Sequence, residues 1–93
     1  MESKVIYADV VFEKEVPTHK TDPIFKEVEG NKLNYTGEFG YLSNEEFKNR
    51  FKEFLKHLQK YKATGVAGYS ILYGEVKEYK LEKGNIIEEN KIR

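Results

Sequence analysis

Hydrophobic positions change their spacing along the chain, and each change marks an element. From residue 44 to residue 62, Phe47, Phe51, Phe54, Leu55, Leu58 and Tyr61 recur every three or four residues, which makes one apolar stripe on a helix. Ser43 and Glu46 stand three apart at its start, as a capping box requires, and Leu42 and Phe47 fall at the positions of a hydrophobic staple. Acidic Glu45 and Glu46 in the first turn and basic Lys60 and Lys62 in the last suit the helix dipole. Gly65 is placed to end the helix. The pattern predicts a helix over 44–62.

Before and after the helix the pattern shortens to strand chemistry. Residues 5–12, VIYADVVF, are β-branched and aromatic; Ile6, Ala8, Val10 and Phe12 share one face, and Val5, Tyr7, Asp9 and Val11 the other. EVPTHKTDP, with two prolines, reads as a loop able to contact a partner. Gly30-Asn31 between two strand-like runs predicts a hairpin. Val66 to Val76 reads as one strand, and Lys83-Gly84-Asn85 between 79–81 and 86–87 as a second hairpin. The class expected is α+β in a single domain covering 1–93, one helix packed on an antiparallel or mixed sheet in the order β-(ββ)-α-β-β.

Composition narrows the chemistry. Ninety-three residues with 39% hydrophobic and 34% charged side chains suit one small globule with a thin margin of burial. Sixteen basic and sixteen acidic residues cancel, so any attraction to nucleic acid or anionic lipid must come from a local patch. The chain has no cysteine, which excludes disulfides and thiolate metal sites and is compatible with a cytoplasmic setting. MESKVIYADVVFEKEV lacks the basic start and apolar centre of a signal peptide, and no apolar run is long enough to span a membrane.

KYKATGVAGYSILYGEV gathers Gly65, Gly68 and Gly74 just after the helix. A phosphate loop needs glycines ahead of a helix N-terminus, where free N–H groups and the positive dipole end meet the anion; here they follow a C-terminus. Glu75-Val76 also stand where a Walker loop needs Lys and Ser or Thr. GVAG matches the G-x-x-G of KH modules, but strand-like residues follow it and its middle pair carries no charge. GVAGYSILYG, through Gly65, Val66, Gly68, Tyr69, Ser70 and Ile71, resembles the helix-to-strand junction of the PII signalling proteins and their small PII-like relatives. That resemblance implies a ferredoxin-like half and a regulatory rather than catalytic role; it carries over no ligand residue.

Three constellations remain. Lys48, Lys52, Lys56 and Lys60 form a stripe opposite the apolar face, which could track phosphates or simply be a solvated face. His57 stands four residues from Glu53, enough for a helix surface pair but too few ligands for a metal, with His19 in the distant proline loop. Tyr69 and Tyr73 alternate with Leu72 across the uncharged strand and could anchor a protein interface, stack bases, or line the core. The expectation is a small non-enzymatic interaction or regulatory protein, without a cofactor, that binds another protein or itself through Tyr69, Leu72 and Tyr73. The alternative is a nucleic-acid-binding module using the four lysines and the strand tyrosines.

Overall fold

The computed structural model describes residues 3–17 and 22–92. Five strands, β1 (Lys4–Val11), β2 (Lys32–Glu38), β3 (Thr64–Ile71), β4 (Val76–Glu82) and β5 (Asn85–Lys91), form one sheet in the order β2-β1-β3-β4-β5. Every neighbouring pair is antiparallel. The single helix α1 (Asn44–Lys60) connects β2 to β3. Because both of those strands run opposite to β1, which lies between them, β2-α1-β3 is a split β–α–β unit. The molecule is α+β, with one layer of helix on one layer of sheet.

The core is the face that α1 covers. Ile6, Ala8 and Val10 of β1, Leu33 of β2, Ala67, Tyr69 and Ile71 of β3, and Leu81 of β4 are buried against Phe47, Phe51, Phe54 and Leu58 of α1. The alternation of β1 and the three-four spacing of α1 thus meet, as their periods require. The helix begins where expected: the Ser43 hydroxyl accepts from the Glu46 N–H at 3.1 Å, and Glu46 Oε1 accepts from the Ser43 N–H at 3.4 Å.

Its end differs from the expectation. The helix stops at Lys60, and Lys62 rather than a glycine takes the left-handed position, at φ +56°. Gly65 lies inside β3 at φ +145°, where a Cβ would stand 2.2 Å from the Asp9 carbonyl oxygen. It serves the close approach of β3 to β1 and not the helix cap. At the other end of β3 the strand stops at Ile71, so 66–76 is a strand, a turn and the start of β4.

The segment before Gly30-Asn31 is also not a strand. Pro23–Glu27 forms a short 3-10 helix, with Asp22 as N-cap accepting from the Ile24 N–H at 3.0 Å. Ile24 and Phe25 are adjacent and both buried, which an alternating strand cannot achieve on one face. The Phe25 ring closes the corner of the core, with ring centroids 5.5 Å from Phe12 and 5.7 Å from Phe54. Arg50 of α1 ties this segment down, reaching Asp22 at 3.3 Å while its guanidinium lies over the Phe39 ring. The second hairpin forms as expected: Lys83 and Gly84 both have positive φ, the geometry of a two-residue type I′ turn, and join β4 to β5. Gly84 also packs on the helix end, donating to the Ala63 carbonyl at 3.0 Å.

Candidate interaction site

Between β3 and β4 the chain reverses over Leu72, Tyr73 and Gly74. Two backbone hydrogen bonds close this turn, Gly74 N–H to the Ile71 carbonyl at 2.9 Å and Ile71 N–H to the Glu75 carbonyl at 2.8 Å, and a third, Leu72 N–H to the Ser3 carbonyl at 2.9 Å, ties it to the start of β1. Tyr73 at its tip has φ +61° and is 93% exposed. A bulky side chain in the left-handed region is unfavourable, and a tyrosine ring held in water gains nothing from burial. Leu72 beside it is 38% exposed.

The expected grouping, Tyr69 with Tyr73 on one strand face and Leu72 on the other, is therefore not what forms. The alternation that placed Tyr69 with Tyr73 ends at Ile71, so Tyr69 goes into the core and Leu72 and Tyr73 project together from the turn. The Tyr69 ring packs edge-on against Phe47 and Phe51, with centroids 5.8 and 5.0 Å away. Its hydroxyl donates to the Glu75 carboxylate, which Lys48 also approaches at 3.5 Å. Burial, then the hydrogen bond and charge of Glu75, push the Tyr69 phenol well above the ordinary tyrosine range. The hydrogen bond from Tyr69 holds Glu75 below the usual carboxylate range; burial opposes it, and the Lys48 charge, a smaller effect than burial, adds to the lowering. Tyr69 is thus the mount on which the turn stands, linking core, Glu75 and helix.

Two further exposed apolar residues lie at this end of the sheet. Tyr41, 78% exposed, precedes the helix cap, next to the point where the Phe39 N–H donates to the Lys4 carbonyl at 2.7 Å. Ile92, 58% exposed, follows β5, with its N–H on the Val76 carbonyl at 2.8 Å. Lys4, Ile71 and Val76 are the end residues of β1, β3 and β4, so Tyr41, Leu72, Tyr73 and Ile92 all sit along one rim. Gly40-Tyr41 outside the helix stripe was the available signal for the first; nothing in the charged stretch around Ile92 marked the second.

The other sequence candidates fall elsewhere. Gly65 and Gly68 lie within β3 and Gly74 in the turn, none of them ahead of a helix N-terminus. In the lysine stripe, Lys48 pairs with Glu75, Lys56 with Glu53 at 3.5 Å, and Lys60 lies over the Tyr61 ring, so acidic and aromatic neighbours interrupt it. Glu53 goes to Lys56, while the His57 ring stands 5.9 Å from that of Phe25. His19 lies outside the described residues. Among the described residues no three His, Asp or Glu side chains come together as metal ligands, and no helix is long and apolar enough to cross a membrane. Comparison with protein-family models, curated proteins and solved structures finds no match.

Proposed function

We propose that this chain is a small, non-enzymatic interaction or regulatory protein of the cytoplasm, which binds another protein or itself through the rim bearing Tyr73. The observation that carries this reading is Tyr73: exposed, in a left-handed backbone conformation, on a turn closed by two backbone hydrogen bonds of its own and tied to the start of β1 by a third. A strained, exposed aromatic on a rigid mount has its cost set against stability, and a partner that covers the ring supplies the return. Leu72, Tyr41 and Ile92 extend the apolar rim to either side. The split β–α–β unit supports the regulatory side of the reading, since it is the unit from which ferredoxin-like sheets, including those of PII-like proteins, are built. The nucleic-acid alternative has less support, because Lys48 and Lys56 are already paired with carboxylates.

Tyr73→Asn tests the reading. Asparagine tolerates the left-handed region better than tyrosine, so the variant should melt at or above the wild-type temperature. Association, read by light scattering for self-binding and by pull-down for a partner, should weaken at least ~10-fold, as for loss of a central aromatic anchor. An unchanged association with intact folding would remove the rim as the interface.

A further inference from the structure

A cleft opens between α1 and β4 on the covered side of the sheet, where the helix layer stops short of the outer strands. Its cavity volume is about 230 Å³. Its wall is apolar: Leu55 on one side, and Tyr79 stacked on Phe51 with centroids 5.7 Å apart and planes 27° apart. Its rim carries Lys48, Lys52 and Lys77, against the single acid Glu75.

We propose that this cleft is a binding site for a small aromatic carboxylate. The charge balance selects an anion. Lys48 is shared with Glu75 at 3.5 Å and Lys77 with Glu89 of β5 at 3.2 Å, while among the described residues no carboxylate pairs with Lys52. Three ammonium groups facing two carboxylates leave one positive charge, which a single carboxylate neutralises; a dianion would leave an excess of negative charge. Lys48 and Lys77 already hold carboxylates from the protein, so the rim is suited to this group. The Tyr69 and Tyr79 hydroxyls donate to Glu75 and Glu89, so both acids are already engaged within the protein. The size selects one ring. A cavity of roughly 150 Å³ accepts benzene, and the larger volume here leaves room for a carboxylate beyond the ring. Tyr79, half-exposed and backed by the buried Phe51 ring, offers the aromatic surface against which such a ring packs, in the offset or edge-on geometry aromatic pairs prefer.

The test is a titration of the isotope-labelled full chain, followed by backbone amide shifts in NMR. The probes are sodium benzoate, benzyl alcohol as the ring without the charge, and sodium acetate as the charge without the ring. Benzoate should give saturable shifts at residues 48–55 and 75–79, with a Kd on the order of 1 mM, and the two controls should bind at least ~10-fold more weakly. Lys52→Glu lies on an exposed helix position and keeps the fold; it should weaken benzoate at least ~10-fold, and Lys52→Arg should restore it. Tyr79→Leu, which retains bulk but not the stack, should weaken benzoate while leaving acetate unchanged. The proposal fails if benzoate gives no saturable shift at these amides up to ~20 mM. It also fails if the shifts lie elsewhere, if benzyl alcohol binds as well as benzoate, or if Lys52→Glu changes nothing. The readout does not involve Tyr73 or association, so its failure leaves the rim hypothesis standing.

Discussion

At the scale of single residues, Tyr69 joins two parts of the molecule: its ring belongs to the core and its hydroxyl belongs to the turn. This double membership predicts a pH dependence whose sign can be worked out. The fold raises the Tyr69 pKa, so the folded chain holds that proton more tightly than the unfolded chain does. Its stabilisation is complete below the ordinary tyrosine value of about 10 and declines as pH rises from there toward the folded value. Glu75 is held low, chiefly by the hydrogen bond from Tyr69, so its contribution is present above the ordinary carboxylate range and is lost as pH falls through the folded pKa. Between these limits stability should be flat as far as this pair is concerned. Tyr69→Phe keeps the ring packing and removes the hydroxyl, and should cost about 1 kcal/mol at neutral pH. Urea unfolding at about pH 7 and about pH 11 should show a smaller alkaline loss in the variant than in the wild type. Tyr7, Tyr35 and Tyr79, each also raised chiefly by burial, titrate in both proteins and cancel in that difference. Equal alkaline losses would mean that the Tyr69 phenol is neither buried nor hydrogen-bonded to Glu75 in solution.

At the scale of elements, the contrast between Lys62 and Gly65 gives a paired prediction. Lys62 occupies the left-handed position after α1 at φ +56°, where a glycine carries no Cβ penalty. Among the described residues its only ion pair is with Glu13 at 3.9 Å, at the surface, and such pairs contribute little. Lys62→Gly should therefore stabilise the chain by about 0.5–1 kcal/mol. Gly65→Ala should destabilise it by about 2–3 kcal/mol, because its Cβ meets the β1 backbone and its φ is closed to other residues. Thermal melts of the two variants that moved in the same direction would refute this assignment of the helix end. The same pair shows why some boundaries were legible and others were not. The start of α1 is written in side chains, Ser43 and Glu46, that act on their own backbone. Its end depends on which residue accepts positive φ, and that is decided by how closely β3 must approach β1, a tertiary fact. The 3-10 helix had a local signal in Asp22-Pro23, an N-cap followed by proline in the first turn, but its neighbours Ile24 and Phe25 also suit a strand. Its conformation is settled by the need to bury both beside Phe12 and Phe54. For the candidate site, the uncharged run from Val66 to Gly74 marked the segment that carries the exposed turn, while the separation of Tyr69 from Tyr73 depended on a turn that Gly74 alone hardly announced.

At the scale of the whole molecule, two surfaces compete to be the interface: the rim bearing Tyr73 and the sheet face that α1 leaves bare. A one-helix layer covers only one face, so Val5, Tyr7, Asp9 and Val11 of β1 look outward, with Ser70, Gly68 and Val66 opposite the first three on β3. The register continues to Val76, Glu78 and Lys80 on β4. Read across the sheet, Val66 lies between Asp9 and Lys80, and Ser70 lies between Val5 and Val76. Tyr7 crosses Gly68 to reach Glu78 at 3.4 Å, and Lys80 meets Glu88 of β5 at 3.1 Å. Charged and polar groups thus break the apolar positions into single residues, which scattered across a surface do not make a docking patch. The rim instead sets Leu72 beside the exposed Tyr73 with no charge between them. The bare face should therefore tolerate a charge that the rim does not. Val66→Lys places a lysine beside Asp9 on a half-exposed outward position and should leave both folding and association as they are. Tyr73→Lys should leave folding as it is and reduce association, and so should Leu72→Lys, because neither residue is in the core. Light scattering on the three variants, with circular dichroism to confirm folding, separates the surfaces: loss of association in Val66→Lys with retention in Tyr73→Lys would move the interface from the rim to the open sheet.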